Sequence, residues 1–115
     1  MKVIDQKSFL DTFQYFDKEI VVEIIDIFIN EYPERMAALK KDIELLDFNA
    51  IKFDAHSMKG VIANFVAPIP QQLAKELEIK GSENDASDLK RIYAELEIYG
   101  AELVDDLKEL RPDFL

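Results

Sequence analysis

The stretch Ile51-Lys52-Phe53-Asp54-Ala55-His56-Ser57-Met58-Lys59-Gly60-Val61-Ile62-Ala63-Asn64-Phe65-Val66-Ala67 decides the fold of this chain. At about 100° per residue, Ile51, Ala55, Met58, Ile62 and Phe65 fall on one stripe at three-four spacing. That is the pattern of an amphipathic helix with the stripe turned inward. His56, the only histidine in the chain, points about 140° away from the centre of the stripe by the same rotation. Lys52, Lys59, Gly60, Ala63 and Ala67 share the outer face with it. The helix therefore holds a lone imidazole outward, beside two cations and a strip without bulky side chains. A lone histidine is most often a satisfied core residue or an incidental surface one. Geometry removes the first reading, and the bare strip argues against the second.

The segments on either side read as helices too. Ser8 to Phe16 forms a short helix capped by Asp5 or Ser8, with Phe9, Phe13 and Phe16 on one face. It is too short to stand alone in water. Asp17 caps a long segment running to about Leu46, with Val21, Ile25, Phe28, Tyr32, Met36, Leu39, Ile43 and Leu46 along one face. Between Ile20 and Ile29 only Glu23 and Asp26 are polar. So wide an apolar surface needs partners on two sides, either the first helix or an exposed docking patch for another protein. Pro33 should kink or split this helix.

Asp47 or Asn49 caps the central helix, which should end near Ala67. Pro68 and Pro70 enforce that stop and open the next helix, which buries Leu73, Leu77 and Ala74. Gly81 is expected to end it as a left-handed cap. Asp85 then caps the last helix, with Leu89, Ile92, Leu96, Tyr99, Leu103, Leu107 and Leu110 on one face, Gly100 in its middle and Pro112 at its end. No alternating strand pattern, repeat or low-complexity tract interrupts this order. The expected fold is all-α: an antiparallel up-down-up-down four-helix bundle with a short additional N-terminal helix, one domain over residues 1–115.

Composition narrows the function. With 49% apolar residues the chain can bury a core, and its net charge of −10 argues against nucleic-acid binding. It has no cysteine, which excludes disulfides and thiolate metal sites and is compatible with the cytoplasm. No apolar run is long enough to cross a membrane. The N-terminal Met1-Lys2-Val3-Ile4-Asp5-Gln6 meets charge too early for a signal peptide. A Met start and compact ends favour a protein that stands alone, expected as a monomer. Against the overall acidity, Lys52 and Lys59 make a local positive spot.

Elimination then isolates His56. There is no glycine-rich phosphate loop for a nucleotide. A single histidine makes no convincing metal site, and the Glu-x-x-His motif is absent because Phe53 stands at that spacing. No Ser or Cys nucleophile has a base beside it. No cofactor and no metal are expected. What remains is an exposed imidazole, largely neutral at pH 7, with a lone pair that can accept a phosphoryl group. Lys59 is placed to offset phosphoryl charge. Gly60 and Ala63 remove side chains that would keep a partner's active site away.

His56-Ser57-Met58-Lys59-Gly60 resembles the His-x-x-Lys-Gly signature of histidine-containing phosphotransfer (HPt) domains. Ala55 before the histidine, Ala63-Asn64-Phe65 and Ala67 after the glycine, and Glu76-Leu77-Glu78 in the next helix extend the likeness. The order of the helices carries it over nearly the whole chain. The resemblance implies a phosphorelay intermediate in two-component signalling with no kinase activity of its own. It would accept a phosphoryl group from the aspartate of a response-regulator receiver domain, or work with a hybrid sensor kinase, and pass the group to another receiver. Any magnesium belongs to the receiver. Carried over, His56 is phosphorylated, Lys59 supports the phosphoryl group and Gly60 gives clearance, with Lys52, Phe53, Ala63 and Ala67 available for docking. Val61 and Ile62 stand where small hydroxyl residues are common, Val66 replaces a frequent glycine, and Pro68 and Pro70 are unusual. These departures touch partner choice and the junction after the helix. The alternative is a phosphorylation-independent adaptor that docks on receiver or kinase domains through the same face.

Overall fold

The central helix forms where its stripe requires it. In the computed structural model, which describes residues 3–115, it is α3, Phe48–Ala63. Met1 and Lys2, which open the N-terminal stretch considered above, lie outside the described residues. The Asp47 side chain caps α3 by accepting a hydrogen bond from the Ala50 N–H at 3.2 Å. Ile51, Ala55, Met58 and Ile62 are fully buried and Phe65 is nearly so, as the spacing requires.

Four other helices surround or cover this one. They are α1 (Gln6–Phe13), α2 (Lys18–Leu45), α4 (Pro68–Ser82) and α5 (Leu89–Leu110), and a 3₁₀ turn, Arg111–Phe114, closes the chain. No strand occurs among the described residues. α3 packs on α4, α4 on α5, and α2 on both α3 and α5. Between them lies one apolar cluster drawn from every helix.

Several boundaries differ from the sequence expectation, each for a physical reason. Of the two expected caps it is Asp5 that caps α1, by accepting the Ser8 N–H, and the helix runs from Gln6 to Phe13 rather than from Ser8 to Phe16. Phe9 and Phe13 are buried, but Phe16 lies beyond the helix and is half exposed. α2 runs through Pro33 for 28 residues without splitting. At about 1.5 Å per residue this accounts for the longest dimension of the molecule, 42 Å. Leu46 is not core. It ends α2 in a left-handed conformation, with φ 51°, and is half exposed. Asp85 does not cap α5. Its carboxylate binds the Ser87 N–H and hydroxyl and the Lys80 ammonium, which ties down the preceding turn. These bonds, that from Ser87 foremost, hold the Asp85 carboxyl down at about 2.

Gly81 does not act as a left-handed cap. α4 continues through it to Ser82, and no glycine in the described chain has positive φ. A Cβ at Gly81 would come within 2.7 Å of the Lys52 backbone nitrogen and 2.9 Å of the Phe48 carbonyl oxygen. The missing side chain lets α4 lie directly against α3. Gly100 does the same for Tyr32, whose ring occupies the space a Cβ would need.

α3 also stops earlier than expected, at Ala63 rather than near Ala67. The reversal is made by Val66, which takes a left-handed conformation with φ 55°, an uncommon one for a β-branched residue. Its carbonyl accepts the Asp5 N–H at 2.9 Å. On either side Phe65 and Ala67 are buried, and Phe65 meets the rings of Phe28 and Phe9. The N-terminus is tied in at a second place. Asp106 on α5, the one buried charged residue among those described, accepts the N–H of Val3 at 2.7 Å and of Ile4 at 3.2 Å.

Candidate functional site

His56 projects from the middle of α3, and its side chain is 67% exposed. The close contact at Gly81 brings the preceding turn of α4 beside it. Glu78, three residues before that glycine, reaches across with both oxygens. Oε2 lies 2.7 Å from His56 Nδ1, and Oε1 accepts from Lys59 Nζ at 2.6 Å. The Lys59 ammonium, by its hydrogen bond first, holds the Glu78 carboxyl below the usual carboxylate range. Burial opposes this, and His56 adds to it. Glu78 is therefore ionised at neutral pH and can only accept. The hydrogen between it and the ring must then sit on Nδ1. In the neutral imidazole this leaves Nε2 with its lone pair free. The depressed Glu78 contributes stability above its unfolded value, and that contribution is lost as pH falls through its folded one.

Of the residues expected at the site, Lys52, Phe53, Gly60 and Ala63 lie exposed near His56 on α3. Phe53 is 73% exposed. An open hollow of about 430 Å³ is lined by Asn49, Lys52, Phe53, His56 and Glu78. Ala67 is a correction: it is fully buried at the start of α4. The helical rotation that placed it outward does not apply beyond Ala63. The positive spot is corrected as well. Lys59 is only 27% exposed and is already paired with Glu78, so Lys52 is the exposed cation of the two.

Glu78 entered the sequence reading only as part of the likeness in the next helix, and its place beside His56 and Lys59 was not foreseen. The pairing spans 22 positions and depends on how closely two helices approach. The available signal was its place next to Leu77 on the buried face of α4, with Gly81 one turn on. Arg35 was missed for the same reason. From α2 it donates to the Ser57 hydroxyl at 2.7 Å, immediately beside His56, and pairs with Glu31 at 3.4 Å. A second hollow of about 180 Å³ follows the α2–α3 seam there, with Ile24, Ile27, Phe28, Val61 and Phe65 in its walls. No group of His, Asp and Glu side chains that could hold a metal ion is found among the described residues. No helix of the described chain is long and apolar enough to cross a membrane.

The site is thus an outward imidazole on a helical scaffold, braced by a carboxylate and an ammonium. Residues 23–112 match the Hpt domain family, and the chain belongs to that family. Among solved structures, histidine-containing phosphotransfer protein B (HptB) from Pseudomonas aeruginosa PAO1 matches with a TM-score of 0.87 at 22% identity, over 96% of this chain and 96% of that one. At that identity the likeness is one of fold. No curated protein sequence matches the chain.

Proposed function

We propose that this protein is a phosphorelay intermediate in which His56 Nε2 accepts a phosphoryl group from a receiver-domain aspartate and returns it to the aspartate of another receiver. The observation that carries this is the state of the ring. It is two-thirds exposed, its Nδ1 is committed to Glu78, and its Nε2 is free.

The chemistry balances without an added base. The oxygen–phosphorus bond of the acyl phosphate breaks as the Nε2–phosphorus bond forms, and the aspartate carboxylate leaves. The ring keeps its Nδ1 proton and becomes a phosphoimidazolium, whose positive charge is offset by Glu78. Lys59, held by the same carboxylate, is close enough to shift toward the incoming phosphoryl oxygens. Gly60 and Ala63 leave the approach clear, and Lys52 and Phe53 border it. The apolar hollow beside Ile24 and Ile27 offers the partner a place to bury side chains. The partners on this reading are receiver domains and a hybrid sensor kinase that carries one. The four long helices act as the antiparallel up-down-up-down bundle of a single domain, with α1 covering one end.

The test is label transfer. A receiver carrying radiolabelled acyl phosphate should pass label to the wild-type chain on an acid-labile, base-stable bond, and His56→Gln should receive none. If every receiver of the source organism leaves the wild type unlabelled while some still bind it, the protein is an adaptor and the carrier reading fails.

A further inference from the structure

On its α2 side, the His56 site is bordered by a cation that the transfer itself does not use. Arg35 crosses from α2 and donates from Nη1 to the Ser57 hydroxyl at 2.7 Å, and from Nη2 to Glu31 at 3.4 Å. Ser57 follows His56 directly in the chain. Neighbouring Cα atoms lie about 3.8 Å apart and a serine side chain is short, so Nη1 sits within roughly 10 Å of the His56 Cα. The guanidinium is held rather than free to swing. Ser57 fixes it from across the seam, and Glu31 fixes it from one turn back on its own helix. It carries five N–H donors, and these bonds use one on each terminal nitrogen. The others are left for a partner. Arg35 also stands where two hollows of about 180 Å³ each meet, one running toward Ile24, Ile27 and Val61, the other toward Glu34, Ala38 and Asp54.

Resting on the carrier reading above, we propose that Arg35, positioned by Ser57, decides which receiver domains dock over His56, by pairing with an Asp or Glu side chain of the partner. A stable interface covers about 800 Å² on each side, a disc about 16 Å in radius. A receiver centred on His56 therefore covers Arg35 as well. It must give the spare N–H donors an acceptor or bury them without one, which costs affinity. A carboxylate is the group that a guanidinium fork fits best, through two parallel bonds. Because Ser57 already holds the fork in place, less freedom is lost when the partner arrives. A receiver that brings Lys or Arg to this spot meets a like charge and is rejected.

The experiment measures binding of the full chain to each unphosphorylated receiver of the source organism by calorimetry. Label transfer from the phosphorylated forms is then followed at rising receiver concentration. Arg35→Ala should weaken binding to the preferred receiver about ten-fold. The half-saturating receiver concentration should rise by the same factor while the maximal transfer rate stays unchanged. Arg35→Lys should recover only part of the loss, since an ammonium lacks the fork. Ser57→Ala should weaken binding about three-fold, and Ser57→Thr, which keeps the hydroxyl, should bind as the wild type does. Arg35→Glu should reverse the ranking of receivers, and changing the facing acid of the preferred receiver to Lys should restore its binding. Unchanged affinity of Arg35→Ala for every receiver, or a lower maximal rate at unchanged affinity, would overturn the assignment. So would a loss in Arg35→Glu that no acid-to-Lys change on the receiver restores. Equal affinity in Ser57→Ala would overturn the positioning by Ser57. A wild type that binds receivers but takes no label sinks the carrier reading alone, because the affinities still test Arg35.

Discussion

A methyl group added at Gly60 would meet no atom of the described chain within 4 Å. The fold thus makes no demand for glycine there, unlike Gly81, where a Cβ would strike the α3 backbone. A glycine in a helix interior costs about 0.5–1 kcal/mol relative to alanine. Gly60→Ala should therefore stabilise the protein by roughly that amount in urea unfolding, while weakening binding to a phosphorylated receiver in calorimetry. Equal affinity in the variant would mean the open space is not used by a partner. Much at this scale was legible from spacing alone. The three-four rule placed His56 and Gly60 outward and Met58 inward, because each depends only on its own helix. Glu78 was not legible, since its contact depends on how closely α4 approaches α3. Ala67 was misplaced because a rule for helices was carried past the residue where the helix stops.

At the scale of elements, the junction between α3 and α4 holds the clearest strain. Val66 sits at φ 55° because Phe65 and Ala67 are both buried on either side of it and Asp5 holds its carbonyl. The surroundings fix a conformation the residue itself disfavours. A left-handed conformation costs a non-glycine residue about 1–2 kcal/mol, and glycine gives back part of that gain in entropy. Val66→Gly should raise stability by roughly 1 kcal/mol, read as a higher denaturant midpoint with an unchanged slope. A lower midpoint would show that the packing of the half-buried valine outweighs the strain. The helices themselves were largely legible, because their caps and apolar stripes are local signals. The residue that turns the chain was flagged only through the resemblance, where Val66 replaces a frequent glycine, since nothing in a valine itself announces a left-handed turn.

At the scale of the molecule, the ends are held together by one buried carboxylate. Asp106 receives two backbone N–H groups from residues more than a hundred positions away. Asp5 then ties the same segment to Val66, and Arg111 binds Asp26 of α2 through two bonds at 2.7 Å and 3.0 Å. Asp106→Ala would strand two donors away from water, each costing about 1–3 kcal/mol. The expected loss is roughly 3 kcal/mol, with Asp106→Asn between the variant and the wild type. Amide exchange at Val3 and Ile4 should rise in step. Loss of stability without faster exchange there would place the role of Asp106 elsewhere. This clasp was invisible in the sequence, where Asp106 reads as one more acid among the 24 Asp and Glu residues.

Glu78 holds the ring nitrogen opposite the one that the proposed transfer would load. On that proposal the same grip would serve both gain and loss of cargo, so the direction of traffic would be set from outside, by which neighbours arrive charged and which arrive empty.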